Sequence, residues 1–166
     1  MLMGIHRQIA TADGLDAALD QLLGSRHAAM QRAGVDVEAL LVDPRGASGG
    51  LDDIDLLTRA SQLKDAQRFP DLLGLSTAAA LDRFQALQLW PAHTVRELRR
   101  ARFQLRQIES YRELAAANET LRETERQELD KALAIAMGAT DRRDMTALVE
   151  TPAGAVSAAF AQLGWR

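Results

Sequence analysis

The sequence predicts an all-α protein, built as a helical bundle with one long helix at about residues 95–137. Apolar residues recur every three or four positions in most segments, which is the spacing of one face of an α-helix. Aromatic residues make up only 4% of the 166 residues, whereas alanine and leucine, which lose least free energy on entering a helix, are abundant. The valine-rich segment 35–43 has no second strand to pair with, so we do not expect a sheet.

Residues 1–91 are predicted to form an N-terminal helical region. Its helices are expected at 14–33, 35–43, 53–68 and 76–90. Gly34 would stop the first helix, since glycine adopts the left-handed conformation that ends many helices. Segment 35–43 suits a strand by its valines or a short helix by the cap that Asp36 offers, and we favour the helix. Ser76 would cap the last helix of the region, and Pro91 would end it.

A long helix or arm is predicted over residues 94–137. Thr94 followed three residues later by Glu97 is the pattern of a capping box, which marks a helix start. No glycine or proline interrupts the segment before Gly138, so a straight helix would be about 65 Å long at 1.5 Å per residue. The alternative is a break near Asn118, with the second half folding back on the first.

Residues 140–166 are predicted to form a C-terminal pair of helices that packs on the core. The first would run over 141–149. The second would have Thr151 as its N-cap, Pro152 at its first helical position and Gly164 at its end.

The charges of the long helix are divided between its halves. Residues 95–112 hold six arginines against two glutamates, a net charge of +4, and residues 113–131 hold six acidic against three basic residues, a net charge of −3. The helix macrodipole favours acidic residues at the N-terminal end, so this order does not serve an isolated helix. It would suit an antiparallel partner, which is either a second copy of the chain or the same helix folded back near 115–120.

These observations predict a non-enzymatic protein of interaction, assembly or regulation that associates with itself or with another protein through the long helix, as coiled coils do. Apolar side chains at helical spacing would supply burial, and arginines beside them would select the partner. The predicted partner-binding residues are Leu98, Arg99, Arg102, Leu105, Arg106, Ile108 and Arg112.

The alternative is a nucleic-acid-binding regulator that uses the helix over 95–112. Its arginines would meet successive phosphates. The residues concerned are Arg96, Arg99, Arg100, Arg102 and Arg106. The net charge of the whole chain, −3, gives no general attraction to nucleic acid and disfavours this alternative.

Catalytic, cofactor and metal sites are not predicted. The chain has no cysteine, which excludes disulfides, thiolate catalysis and cysteine-based metal centres. The aspartates that flank the glycine-rich loop could gather round a divalent ion, and these are Asp43, Asp52, Asp53 and Asp55. We favour the explanation that Asp52 or Asp53 caps a helix and that Asp55 complements the helix dipole. None of the three histidines has a second histidine or an acid at metal-ligand spacing on a clear shared face.

A membrane partner is not predicted either. The start of the chain lacks an apolar run long enough for a signal peptide. The longest apolar run elsewhere, residues 132–137, is far short of the ~20 residues that span a bilayer. We therefore expect a cytoplasmic protein.

Overall fold

The structure, a computed structural model, describes residues 12–117, 123–136, 138–140 and 142–163, and every regular element within these ranges is helical. The α-helices are α1 (Ala12–Ala33), α2 (Val37–Val42), α3 (Leu51–Asp65), α4 (Thr77–Ala86), α5 (Ala92–Ala117), α6 (Glu123–Ala136) and α7 (Arg142–Gln162), and a 3₁₀ turn covers Pro70–Leu72. The predicted all-α fold class is confirmed.

Local capping chemistry sets several of the helix ends as the sequence predicts. Gly34 lies past the end of α1 with φ of +67°, and its N–H donates to the carbonyl of Met30 at 2.9 Å. The Asp36 carboxylate accepts the N–H of Ala39 at 2.9 Å and so caps α2, which confirms a short helix in segment 35–43. Ser76 caps α4 through the same kind of side-chain acceptor.

The start of α5 differs from the prediction. The helix begins at Ala92, and the carbonyl of Pro91 already accepts the N–H of Val95 at 3.2 Å. Thr94 therefore lies in the first turn and cannot act as the N-cap. Its side chain is buried, and its hydroxyl donates to Oε1 of Gln162 in α7 at 2.8 Å. The predicted capping box of Thr94 with Glu97 is therefore wrong, because the Thr94 hydroxyl bonds to Gln162 and does not cap the helix.

The long helix is broken, and the chain folds back on itself. The hydroxyl of Tyr111 in α5 donates to the carbonyl of Ala132 in α6 at 3.4 Å. In one straight helix these residues, 21 positions apart, would be separated by about 30 Å. A single helix over 95–137 is therefore wrong and the fold-back alternative is confirmed, while Asn118 itself lies outside the described residues.

The C-terminal pair of helices is a single helix, so that prediction is also wrong. Pro152 lies inside α7, although proline removes a backbone hydrogen bond and crowds the preceding turn. One buried stripe runs through the proline and holds the two halves of α7 in line against the core. Its residues are Val149, Ala153, Val156, Ala159 and Phe160.

Helix α5 occupies the centre of the bundle and contacts α3, α4, α6 and α7. One face of α5 is buried along most of its length. The residues of this buried face are Thr94, Val95, Leu98, Ala101, Leu105 and Ile108. Since α5 begins where α7 ends, at the Thr94–Gln162 hydrogen bond, the two helices run antiparallel.

A buried ion pair ties α1 to α3 and to the loop before α3. Asp53 is only 2% exposed and takes two hydrogen bonds from Arg26 of α1, Nε to Oδ1 at 2.5 Å and Nη2 to Oδ2 at 2.9 Å. Its Oδ2 atom also accepts the N–H of Gly49 at 2.7 Å. Neither Asp52 nor Asp53 is thus the helix cap that the sequence predicts, because Gly50 precedes α3 as N-cap and both aspartates lie in the first turn.

The same loop packs too tightly for any residue but glycine at position 50. A Cβ on Gly50 would lie 2.7 Å from the carbonyl oxygens of Pro44, Arg45 and Ala47. These contacts fix the turn that presents the Gly49 N–H to Asp53.

None of the helices in the described part of the chain combines the length and the hydrophobicity that crossing a bilayer requires.

We expect Leu105→Ala to lower the free energy of unfolding by about 2–5 kcal/mol, because it removes a fully buried side chain and leaves a cavity. Urea denaturation measures the change. The matched control is Leu73→Ala, whose side chain is 52% exposed and should cost less than about 1 kcal/mol. Equal losses for the two variants would contradict the central position of α5.

We expect Asp53→Asn to cost about 2–4 kcal/mol, since it breaks a buried pair and leaves the Arg26 guanidinium without its counter-charge. Thermal and urea unfolding report the loss. Asp52→Asn, one residue away and exposed, should change stability by under about 1 kcal/mol. A loss at Asp53 no larger than that at Asp52 would show that the pair does not hold the loop.

Candidate functional site

The outward face of α5 lies opposite its buried face and carries Arg96 and Arg100, two of the arginines that the sequence predicts for nucleic-acid binding. Arg96, Arg100 and Phe103 follow one another at spacings of four and three, so they share one face of the helix. Phe103 lies about 160° around the helix from Leu105, counted at 100° per residue. All three side chains are exposed, and Phe103 is 64% exposed. We call these three residues the arginine face.

The predicted apolar contact residues lie on the opposite side of α5. Leu98, Leu105 and Ile108 are each 0% exposed and pack in the hydrophobic core of the chain itself. They are not available to a second protein while the chain is folded. The spacing of these residues predicts a buried helix face. The sequence alone does not tell whether that face packs on another helix of the same chain or on a partner.

Three of the predicted arginines make contacts within the chain. Arg99 forms an ion pair with Asp82 of α4 at the surface. Arg106 donates to Glu109 in the same helix at 2.5 Å. Arg112 donates through Nε to the carbonyl of Leu41 at 2.7 Å and so satisfies an acceptor in the last turn of α2.

Arg96, Arg100 and Arg102 are the arginines of α5 that make no hydrogen bond or ion pair with the residues the structure describes. Arg96 and Arg100 are exposed, and Arg102 is half-buried. A guanidinium always carries its charge at physiological pH, and an exposed one stays hydrated until a partner displaces the water. The arginine face is therefore a positively charged surface with an exposed aromatic ring.

Glu109 joins α5 to the loop before α3. Its carboxylate accepts from Nε of Arg45 at 2.9 Å and from Nη1 of Arg106 at 2.5 Å. Burial acts to raise the pKa of Glu109, but the hydrogen bonds and charges of Arg45 and Arg106 outweigh it and lower this pKa below its ordinary value. The sequence gives no sign of this triad, because Arg45 and Glu109 are 64 positions apart.

A groove of about 340 Å³ borders the arginine face, between α5 and α7. Small residues form its α7 wall, and Arg100 belongs to its α5 wall. The Gln104 side chain also lines the groove, and its Oε1 atom is buried without a hydrogen-bond partner among the described residues. The small residues are Gly154, Ala155 and Ala158.

The aspartates of the glycine-rich loop do not form one site. Asp43 accepts the N–H of Gly46 at 2.9 Å and closes a turn, and Asp52 pairs with Arg45 at 3.2 Å. Asp55 accepts the hydroxyl of Thr77 at 2.5 Å, and Asp53 binds Arg26. Within the described ranges no group of three or more His, Asp or Glu residues could hold a metal ion.

The two histidines in the described part of the chain, His27 and His93, make no contact with each other. His27 stacks on Phe160 with 6.2 Å between ring centroids and lies 3.2 Å from Nε2 of Gln31. His93 is exposed in the first turn of α5. His6 lies outside the described residues.

Glu109→Gln tests the electrostatics beside the arginine face. A lowered folded-state pKa stabilises the fold above the unfolded-state pKa of about 4.3, and this contribution is lost as the pH falls through the folded-state value. The wild type should therefore exceed the variant in unfolding free energy at pH 6–7, and the difference should shrink on acidification below about pH 4.

Urea denaturation over pH 3–7 measures this difference. Glu113→Gln, an exposed residue one turn further along α5, serves as the control and should change stability by under about 0.5 kcal/mol. A Glu109→Gln curve parallel to that of the wild type would contradict the assigned hydrogen bonds.

The comparisons with known proteins give one finding. The family model described as GlnD PII-uridylyltransferase matches residues 12–163 of the chain. No curated protein and no solved structure matches it.

Proposed function

The chain belongs to the GlnD PII-uridylyltransferase family, and from that premise we propose that it is a non-catalytic helical module of this family that binds a protein partner through the arginine face of α5. The observation that carries the proposal is the set of exposed arginines around Phe103 that the described part of the chain leaves without counter-charges.

The composition of this face is that of a protein-binding surface. Arginine and aromatic residues are enriched in interfaces, where the ring supplies buried area and the guanidinium supplies several donors. A phenylalanine that is 64% exposed contributes little to the fold of a single chain. Burial of the ring against a partner would contribute to affinity, and Arg96 and Arg100 would select an acidic surface.

The non-catalytic part of the proposal is supported by how the acidic side chains are used. Transfer of a nucleotidyl or phosphoryl group generally relies on divalent ions held by carboxylates close together. The aspartates of residues 43–55 instead bond to separate partners, and each has a structural role in a turn, an ion pair or a side-chain contact.

The family's description, PII-uridylyltransferase, names an enzyme that acts on PII. An enzyme of that kind has to hold a protein as well as carry out a reaction, and a helical module can serve that need. Two partners therefore suit the proposal, namely a protein such as PII with an acidic surface and a second copy of this chain.

Nucleic-acid binding is the second candidate function, favoured by the same exposed arginines and ring. Arginines that contact phosphates beside an aromatic side chain that stacks on bases are typical of single-strand binding. The net charge of −3 weighs against it, since the chain as a whole repels a polyanion.

Arg96→Glu/Arg100→Glu is the variant that tests the proposal. It reverses two charges on the exposed face without touching the core, so the far-ultraviolet circular dichroism and urea midpoint should stay close to those of the wild type. We expect the affinity for the protein partner to fall at least tenfold. Biolayer interferometry at 50 and 300 mM salt would measure it against purified PII, against the chain itself and against a single-stranded oligonucleotide.

The matched control is Arg32→Glu/Arg68→Glu, which makes the same change of net charge at exposed positions outside α5. Its affinity should stay within about twofold of the wild type. Equal loss in both variants would reduce the effect to net charge. Binding to the oligonucleotide alone, falling steeply with salt, would replace the protein-binding proposal by the nucleic-acid function.

A further inference from the structure

We propose that α7 contains a hinge at Pro152, about which α6 and residues 142–150 of α7 turn as one unit relative to the rest of the bundle. We call this unit the α6 hairpin, and it comprises α6, residues 138–140 and residues 142–150. The inference goes beyond the proposed function, because it concerns a motion within one chain and names no partner. The experiment that tests it needs no partner either, so its failure would leave the proposed function untouched.

The proline interrupts the backbone hydrogen bonds of α7. Pro152 lies inside a helix of 21 residues, and because it has no N–H, the carbonyl of Leu148 four positions earlier loses its donor within the helix. The Thr151 hydroxyl donates to the carbonyl of Ala147 at 3.4 Å, a contact of the kind that bends helices. Gly154, exposed two positions after the proline, has a low helix propensity. Since sharp bends in helices are almost always found at such positions, α7 bends most easily here.

The two parts of α7 are held by the bundle to different degrees. After the proline, the Gln162 side chain bonds to Thr94 of α5, and Phe160 stacks on His27 of α1. Of the buried stripe of α7, Val149 is the one residue that precedes the proline. The stripe residues that follow the proline are Ala153, Val156, Ala159 and Phe160. The part after the proline is therefore fixed to the bundle, whereas the part before it buries little area.

A tight turn joins α6 to the first part of α7. Gly138 has φ of +76°, the left-handed conformation that ends helices, and the N–H of Ala139 donates back to the carbonyl of Ala134 at 2.7 Å. On the other side of the turn, the Asp144 carboxylate accepts the N–H of Thr140 at 3.0 Å. Because these bonds hold both helix ends, residues 142–150 carry α6 with them when they turn.

The contact between α6 and α5 allows such a turn. The Tyr111 hydroxyl reaches the carbonyl of Ala132 at 3.4 Å, whereas a hydroxyl-to-oxygen hydrogen bond is usually about 2.7–2.8 Å long. Leu133 and Ala134 are the buried residues of α6 among those whose side chains the structure describes. Both lie in the last turn of α6, so few contacts have to break when the hairpin moves.

The hinge lies in the wall of the groove between α5 and α7. Thr151, Pro152 and Gly154 line this groove from α7, and Arg100 and Gln104 line it from α5. Bending at the proline therefore changes the width of the groove beside the arginine face. The Oε1 atom of Gln104 is buried without a hydrogen-bond partner among the described residues, which costs free energy. Opening of the groove would let water reach this oxygen, and that gain favours the motion.

Two spin labels placed across the hinge measure the motion. The chain has no cysteine, so Gln21→Cys/Gln127→Cys labels α1 and α6, and Gln21→Cys/Gln85→Cys labels α1 and α4 within the bundle. All three glutamines are exposed. Pulsed electron paramagnetic resonance gives the distribution of distances between the two labels. We expect the distribution across the hinge to be at least 1.5 times as broad as the one within the bundle.

Three variants relate this breadth to the proline. Pro152→Ala restores a donor to the Leu148 carbonyl and should narrow the distribution across the hinge to the width of the one within the bundle. Gly154→Ala should narrow it in the same direction, since a Cβ there meets nothing within 4 Å and alanine favours the helix. This variant decides the outcome if Pro152→Ala does not fold. Pro70→Ala, an exposed proline at the start of the 3₁₀ turn, is the matched control and should change neither distribution.

Amide hydrogen exchange distinguishes a turning unit from local fraying of α7. In Pro152→Ala, exchange should slow at least threefold throughout α6 and residues 142–150 and stay unchanged in α5. The inference is overturned if the two distance distributions of the wild type are equally broad, or if neither Pro152→Ala nor Gly154→Ala narrows the one across the hinge. Slower exchange confined to the residues next to position 152 would also overturn it.

Discussion

Burial of one face of α5 is the constraint on which the rest of the structure depends. Leu98, Leu105 and Ile108 are fully buried, and α5 packs against α3, α4, α6 and α7. Each fully buried side chain of this kind stabilises the fold by about 1.5–3 kcal/mol relative to exposure. Because this face points inward along most of the helix, the opposite face, with Phe103, has to point outward. The position of the arginine face is thus a consequence of core packing.

The charges around α5 divide into those that fix the bundle and those that the fold leaves exposed. Arg99, Arg106 and Arg112 anchor the helix to α4, to Glu109 and to the end of α2. Surface ion pairs of this kind add little stability singly, but they orient the segments they join. The side chains of Arg96 and Arg100 are exposed and make no such contact with the described residues.

The chain belongs to the GlnD PII-uridylyltransferase family, and the arginine face of α5 is the surface that we propose as its protein-binding site. A rigid helix held by the core loses little backbone entropy on binding, whereas each exposed arginine that becomes ordered costs side-chain entropy. This small loss of backbone entropy would favour binding of either proposed partner, PII or a second copy of the chain. The fold-back places α6, which carries part of the acidic half, beside α5 and not in line with it.

By itself the sequence determined the helices and many of their ends, because these depend on local chemistry. The Gly34 stop and the Asp36 and Ser76 caps act within four residues of the helix ends they define.

Only the tertiary structure decided which partner each side chain meets. In the folded chain Leu105 is buried in the core, Asp53 pairs with Arg26, and the Thr94 hydroxyl donates to Gln162. Helix α7 also continues through Pro152. Apolar spacing shows that a face will be buried but not against what, since burial depends on area and not on chain connectivity. That is why the sequence assigned Leu98, Leu105 and Ile108 to a partner when they belong to the core. For the same reason it could not show that Arg99, Arg106 and Arg112, predicted to bind the partner, make contacts within the chain.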